Sequence, residues 1–183
     1  DQPDHQPAPV APTPTGATAT RDDASSAERE SFRPASQDDL APPGATAKLR
    51  ANLDALEIVR RCRDEDRAAN PAEQAALARW AGWGSIPQVF DDTDDRFPAE
   101  RAQIRQLLGT EEAWSQARRT TLNAHYTSAS VVTAMWSAVR DLGVDGPVRV
   151  LEPGCGSGNF LGFAPLDAVL TGVELDPTTA VIA

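Results

Sequence analysis

The chain has 183 residues, with 17 Lys and Arg against 27 Asp and Glu, a formal net charge of −10. A length of this order allows one ordinary domain, and so acidic a chain is not, as a whole, a nucleic-acid glove, because phosphate binding needs clustered Lys and Arg. No apolar run approaches the ~18 residues of a membrane span, no charged-then-apolar signal segment opens the chain, and Cys62 and Cys155 form neither a disulfide framework nor a paired metal motif, so a soluble, cytoplasmic protein without a membrane partner is expected.

Residues 1–47 hold 8 of the 15 prolines and a single aromatic residue, Phe32. Pro7-Ala8-Pro9-Val10-Ala11-Pro12-Thr13-Pro14 favours extended, solvated polyproline geometry. Such a stretch lacks the apolar surface that would offset the entropy of ordering it, so 1–47 reads as a disordered tail. The opening Asp1 and the apolar last residues read as a piece of a longer chain.

A helical region, 48–122, follows. Leu49, Leu53, Leu56 and Val59 recur at helical spacing, with Ala55 and Ile58 widening the stripe. Arg60, Arg61, Arg63 and Arg67 are interleaved with Asp64, Glu65 and Asp66, which makes a solvated, ion-paired helix end rather than a phosphate-contacting face. Asn70-Pro71 with Glu73 starts a second helix, a capping side chain followed by Pro at the first helical position; this helix carries Ala75, Ala76, Leu77 and Trp80 and stops at Gly82. In Trp80-Ala81-Gly82-Trp83-Gly84, two tryptophans three apart are interleaved with glycines, which predicts a tight turn with aromatic packing rather than base stacking by Trp83. Asp91-Asp92-Thr93-Asp94-Asp95 lacks the spacing of a calcium loop and reads as solvated. Phe97-Pro98 opens a helix with Ile104, Leu107 and Leu108 inward and Gly109 at its end; Thr110 caps the next, with Glu111 and Glu112 at the positive end of its dipole, as far as about Arg119.

The chemistry-bearing constellation lies in 123–183. Asn123-Ala124-His125-Tyr126-Thr127-Ser128 precedes an amphipathic helix carrying Val131, Val132, Met135, Trp136, Val139 and Leu142, capped by Ser128 or Ser130 and closed by Gly143. A short strand over Val148–Leu151 then enters the turn Glu152-Pro153-Gly154-Cys155-Gly156-Ser157-Gly158, where alternate glycines permit positive φ and close approach of a ligand to the backbone. A second strand, Ala168–Val173, ends on Glu174, and Pro177 opens another helix. In a βαβ unit this spacing puts the Glu174 carboxylate at the carboxyl end of the neighbouring strand, where it can accept two hydrogen bonds from ribose hydroxyls.

The ligand is a nucleoside cofactor of a particular kind. A dinucleotide fingerprint wants Gly-x-Gly-x-x-Gly, but the sixth position is Asn159 counted from Gly154 and Leu161 counted from Gly156. No Gly-Lys-Ser/Thr makes a phosphate loop. S-adenosylmethionine has no phosphate, and a Gly-x-Gly-x-Gly turn preceded by Glu-Pro suits it better. His125 has no base, metal or nucleophile partner in sequence and receives no catalytic role; no metal ligand is assigned.

Residues 152–160 resemble the first motif of S-adenosylmethionine-dependent DNA methyltransferases that modify the exocyclic amine of adenine. Gly172-Val173-Glu174-Leu175-Asp176 resembles their second motif, and Asn123-Ala124-His125-Tyr126-Thr127 their upstream motif ending in Tyr-Thr. The stretch 80–91 is similar to the lead-in of very large bacterial and mobile-element proteins that fuse such a methylase to a helicase. The resemblance implies an α/β fold in which the helical region precedes the first two strands of a Rossmann-like methyltransferase sheet. It implies that Pro153 belongs to the cofactor-binding motif, that Gly154, Gly156 and Gly158 shape the pocket for the methionine part, and that Glu152 holds its amino end. Glu174 would bind the ribose, Leu175 would pack against adenine, and Tyr126 and Thr127 would lie across the pocket. The partners implied are DNA, reached through regions outside this chain, and the rest of a methylase–helicase protein, with restriction-modification or defence among its roles.

Amino-methylating enzymes also need an (Asn/Asp/Ser)-Pro-Pro-aromatic loop that holds the flipped base. No such tetrapeptide occurs here, so half a cofactor pocket, no catalytic residue and no activity of the chain alone are expected. Two competing readings remain at this point: a nucleotide-binding oxidoreductase using NAD, and a non-catalytic module in which 48–122 docks onto DNA or a partner.

Overall fold

The computed structural model describes residues 31–144 and 146–183. Its elements, in chain order, are α1 (Ala45–Asp64), α2 (Pro71–Leu77), α3 (Pro98–Leu108), α4 (Glu111–Arg119), α5 (Ala129–Asp141), β1 (Arg149–Pro153), α6 (Asn159–Gly162), β2 (Val169–Val173) and α7 (Pro177–Ile182), with 3-10 turns at Gln37–Asp39, Pro87–Phe90 and Thr120–Leu122. Among the described residues this is a mixed α/β structure, seven helices with a two-stranded parallel sheet. No described helix is long and apolar enough to cross a membrane.

The helical part is built around aromatic residues. Trp80 and Trp83 are each only 1% exposed, which excludes base stacking by Trp83. Trp80 meets Trp83 edge to face, Trp83 meets Phe90 in the same way, and Phe90 tilts against Trp114 at 4.6 Å, a ladder that runs from the loop after α2 to α4. Around it pack Leu49, Leu56 and Val59 of α1 and Ile104 of α3. Asn52 is fully buried on the same face of α1, where its Nδ2 donates to the Gly82 carbonyl at 2.7 Å and its Oδ1 accepts from the Ala81 amide at 2.8 Å.

The helix starts follow the expected chemistry. Asn70 and Glu73 cap α2 reciprocally, and the Thr110 hydroxyl accepts from the Ala113 amide. The arginine-rich end of α1 is ion-paired, with Arg60 on Asp64, and Arg61 and Arg67 on Glu73. In the acidic loop, Asp91 accepts from the amide and hydroxyl of Thr93, and Asp94 from Arg96.

Three expectations about the elements need correction. α2 ends at Leu77 rather than at Gly82, because a bonded loop wins: Trp80 donates its amide to Leu77, and Ala81 turns to Asn52. The Ser128 hydroxyl pairs with that of Ser130 instead of capping α5, while the Ala129 amide donates to Gln37 Oε1 at 2.9 Å. That bond belongs to the third correction. The tail expected to stay disordered through residue 47 is ordered in its last part: Ser36 and Asp39 form a capping box, Leu40 is buried, and α1 begins at Ala45. The Pro7–Pro14 run and the rest of 1–30 lie outside the described residues.

The sheet sits at the other end of the chain. β1 and β2 pair in register from Arg149↔Val169 to Pro153↔Val173. Val150 and Leu170 point at α5, where Val132, Trp136 and Ala164 form a second apolar cluster and the Trp136 indole donates to the Phe160 carbonyl. The opposite face is bare, with Leu151, Val169 and Val173 all exposed, as are Val131, Met135 and Leu142 of α5, whose expected apolar stripe is thus only half covered.

Candidate functional site

The parallel register brings the carboxyl ends of both strands to one place. There the Val173 carbonyl accepts from the amides of Gly154 and Cys155, at 2.7 and 2.9 Å, and so closes the glycine turn against β2. Gly154, Gly156 and Gly158 all have positive φ, at 79°, 56° and 78°, where a side chain is disfavoured. Gly158 leads into α6, its amide bonded to the Cys155 carbonyl. Gly172 serves the same turn from below: a Cβ there would stand 2.9 Å from Cys155 Sγ and from Leu161 Cδ1. Burial, together with the charge of Glu174, pushes the Cys155 thiol up, away from the thiolate a nucleophile needs.

Glu174 faces this turn. Its Oε2 accepts from the Gly156 amide at 2.9 Å and its Oε1 from the Asp176 amide at 2.9 Å. Each oxygen keeps a second lone pair. Asp176 caps α7, its Oδ2 accepting from the amide and the hydroxyl of Thr179. A cleft of about 350 Å³ opens beside these residues, lined by Glu174, Leu175, Asp176 and Pro177 on one side and by Gln116, Arg119, Thr120 and Asn123 on the other.

Tyr126 lies across the turn. A Cβ on Gly156 would come within 2.8 Å of Tyr126 Cδ1 and Cε1, so the ring rests on the Gly156 backbone. On its far side a Cβ on Gly82 would come within 2.9 Å of the hydroxyl. Gly84 is likewise pressed by the Ala124 carbonyl and the His125 ring. Gly82 and Gly84, on either side of Trp83, therefore form a bed for segment 124–126. Burial raises the Tyr126 phenol above its ordinary range; bonds to Thr179 and Trp80 oppose the rise, and the carboxylates of Asp176 and Glu174 add to it.

The structure thus gathers Tyr126, Gly154, Gly156 and Glu174 within one corner. Gly158 is buried beside Ala183, and Thr127 is held through its carbonyl, which accepts from Asn159 Nδ2 at 2.8 Å. Glu152 and Pro153 occupy the last two pairs of the ladder, opposite Gly172 and Val173. Leu175 is 95% exposed, so it lines the cleft without packing against protein. Sequence reasoning missed Trp80, Asn159, Thr179 and Asn52 as members of this network. Asn52 carried a usable signal, since a polar residue in register with Leu49 and Leu56 on a buried stripe needs partners. No protein-family model, curated protein or solved structure matches this chain.

Proposed function

We propose that this chain is the cofactor-binding part of an S-adenosylmethionine-dependent DNA methyltransferase that modifies the exocyclic amine of adenine, with DNA contacts, the base-holding loop and a helicase supplied by regions outside it. One observation carries the reading: the Tyr126 ring lies on Gly156 while Glu174 binds the Gly156 amide, so three motifs far apart in sequence meet at one turn.

The residues present fit this cofactor. Gly154 keeps open space where a Cβ would stand, with no atom within 4 Å, so a ligand can approach its backbone. The second lone pairs of Glu174 can receive the ribose hydroxyls, and the cleft edged by Leu175 offers an apolar surface to an adenine ring. Glu152, Glu174 and Asp176 concentrate negative charge where the cofactor bears a sulfonium and an ammonium. An NAD-type oxidoreductase is disfavoured by the same geometry, because the turn amide that would meet a pyrophosphate is already given to a carboxylate.

When bound, S-adenosylmethionine supplies an electrophilic methyl group. The residues of this chain bind and orient it: the glycine turn sets the depth of approach, Glu174 holds the sugar, and Tyr126 covers the turn. Proximity and orientation of this kind supply much of the rate gain in a group transfer. No residue here is assigned a proton-transfer role, and the Pro-Pro-aromatic loop that would hold the target amine is absent from the sequence.

Calorimetric titration of the chain with S-adenosylmethionine and, separately, with NAD tests the proposal. Saturable heat with the first and none with the second is expected. Heat with NAD, or none with S-adenosylmethionine, would remove it.

A further inference from the structure

Trp80 belongs to the helical part of the chain, yet both partners of its indole lie in the glycine-turn unit. Nε1 stands 3.2 Å from the Tyr126 hydroxyl and 3.2 Å from Thr179 Oγ1. Trp80 is 1% exposed and Thr179 3%, so no water competes for this donor. Thr179 passes the link on, its hydroxyl donating to Asp176 Oδ2 at 2.7 Å, and the Asp176 amide donates to Glu174 Oε1 at 2.9 Å. The loop that carries Trp80 is itself fixed, since Asn52 bonds the Ala81 amide and the Gly82 carbonyl.

We infer that Trp80 is a positioning residue for the cofactor site: its indole N–H fixes the Tyr126 ring over Gly156 and, through Thr179 and Asp176, the backbone that aims Glu174. The inference rests on the S-adenosylmethionine reading of that site. Packing between Gly82 and Gly156 restricts the ring to a slot but leaves it free to slide within the slot; a hydrogen bond at the hydroxyl sets how far it reaches. An indole is a donor only, so this one N–H bridges two segments, 124–127 and α7, that share no backbone hydrogen bond with each other, and it adds to the contact between the Tyr126 and Thr179 hydroxyls. An indole serving only the core would be satisfied by any nearby carbonyl. Here its two acceptors are the two hydroxyls that border the turn. The helical region is consequently a wall of the site rather than a separable docking module.

Tyr126 is the sole tyrosine of the chain, so a protein labelled with 13C-tyrosine gives one ring signal that reports on it directly. Trp80→Phe removes the N–H and keeps an aromatic ring. The expected result is a shifted Tyr126 signal without any ligand, and a dissociation constant for S-adenosylmethionine raised about three- to tenfold, the scale of one neutral hydrogen bond. Tyr126→Phe should raise it by a similar factor, and the double variant by little more than either alone. If Trp80→Phe does not fold, Tyr126→Phe alone decides through its affinity. Wild-type affinity in either folded variant overturns the inference, as does an unmoved Tyr126 signal. A wild-type protein that does not bind S-adenosylmethionine removes the functional proposal instead, and the Tyr126 signal of Trp80→Phe still decides whether the indole positions the ring.

Discussion

Glu174 and Gly156 are 18 residues apart in the chain, and the amide of one donates to the carboxylate of the other at 2.9 Å. The bond joins the end of β2 to the crest of the glycine turn, and the second oxygen of Glu174 binds the Asp176 amide at the start of α7. One carboxylate therefore holds two backbone segments whose relative position defines the site. Replacing it removes both restraints along with the acceptors proposed for the ribose. Glu174→Ala should weaken S-adenosylmethionine binding by ~1.5–3 kcal/mol, the scale of a lost charge-assisted hydrogen bond. Calorimetry reads this directly, and an unchanged dissociation constant would contradict the ribose assignment.

The glycines of the turn are not equivalent, although all have positive φ. Gly154→Ala pays only for a side chain in left-handed backbone, ~1–2 kcal/mol, because the space beside it is open. Gly156→Ala adds a collision with the Tyr126 ring at 2.8 Å. Gly156→Ala should therefore lower the urea midpoint more than Gly154→Ala does, and a second change, Tyr126→Ala, should recover part of the Gly156→Ala loss by clearing the ring. Equal losses for the two single variants, with no recovery, would show that the ring does not rest on this glycine.

Asn52 sits in the middle of α1 with both ends of its amide committed to the 81–82 loop. Asn52→Leu is close in volume but leaves a buried N–H and a buried carbonyl without partners. Each such orphan costs about 1–3 kcal/mol, so a loss of ~2–5 kcal/mol is expected in chemical denaturation. The loop carries Trp80 and the glycine bed of segment 124–126, so cofactor affinity should fall with it. A neutral effect on stability would mean that the loop holds its shape without this clamp.

The parts of this molecule legible in the sequence are those set by local rules. The Asn70-Pro71-x-Glu73 cap, the Thr110 cap and the αL stop at Gly109 each depend on a few adjacent residues, and they stand where the pattern puts them. The β-turn-helix-β order around Gly154 and Glu174 was legible for the same reason. What was not legible depends on distant partners. α2 stops one turn short of its pattern because Asn52, far upstream, captures the Ala81 amide. At the start of α5 the Ser128 hydroxyl pairs with that of Ser130, and it is Gln37, 92 residues before Ala129, that reaches the Ala129 amide. The apolar run of α5 foretold a buried face, but burial needs a second surface, and Val131 and Met135 have none among the described residues. Gly82 and Gly84 read as turn residues, whereas their strictest requirement is steric room for Ala124, His125 and Tyr126.

Two carboxylates held well below their ordinary values shape the response to acid. Glu73 receives both guanidinium nitrogens of Arg67, at 2.6 and 2.9 Å, as well as the Asn70 amide. The Arg67 bonds come first, and together with the amide they hold its carboxyl down to about 2, against an ordinary value of 4.5. Asp94 is likewise held at about 2, chiefly by the Arg96 side chain. Both groups are more acidic folded than unfolded, so the stability they contribute is present in full above their unfolded values. It declines as the pH falls from about 4.5 towards 2, where the native carboxylates finally take up protons. Arg67 stays charged throughout, its own pKa raised by the same bonds, and adds no slope in this window. Glu73→Gln should therefore be less stable than the wild type at neutral pH and approach it at pH 2.5, giving a flatter curve of urea midpoint against pH. Parallel curves for the two proteins across that window would show that the Arg67 pair does not persist in solution.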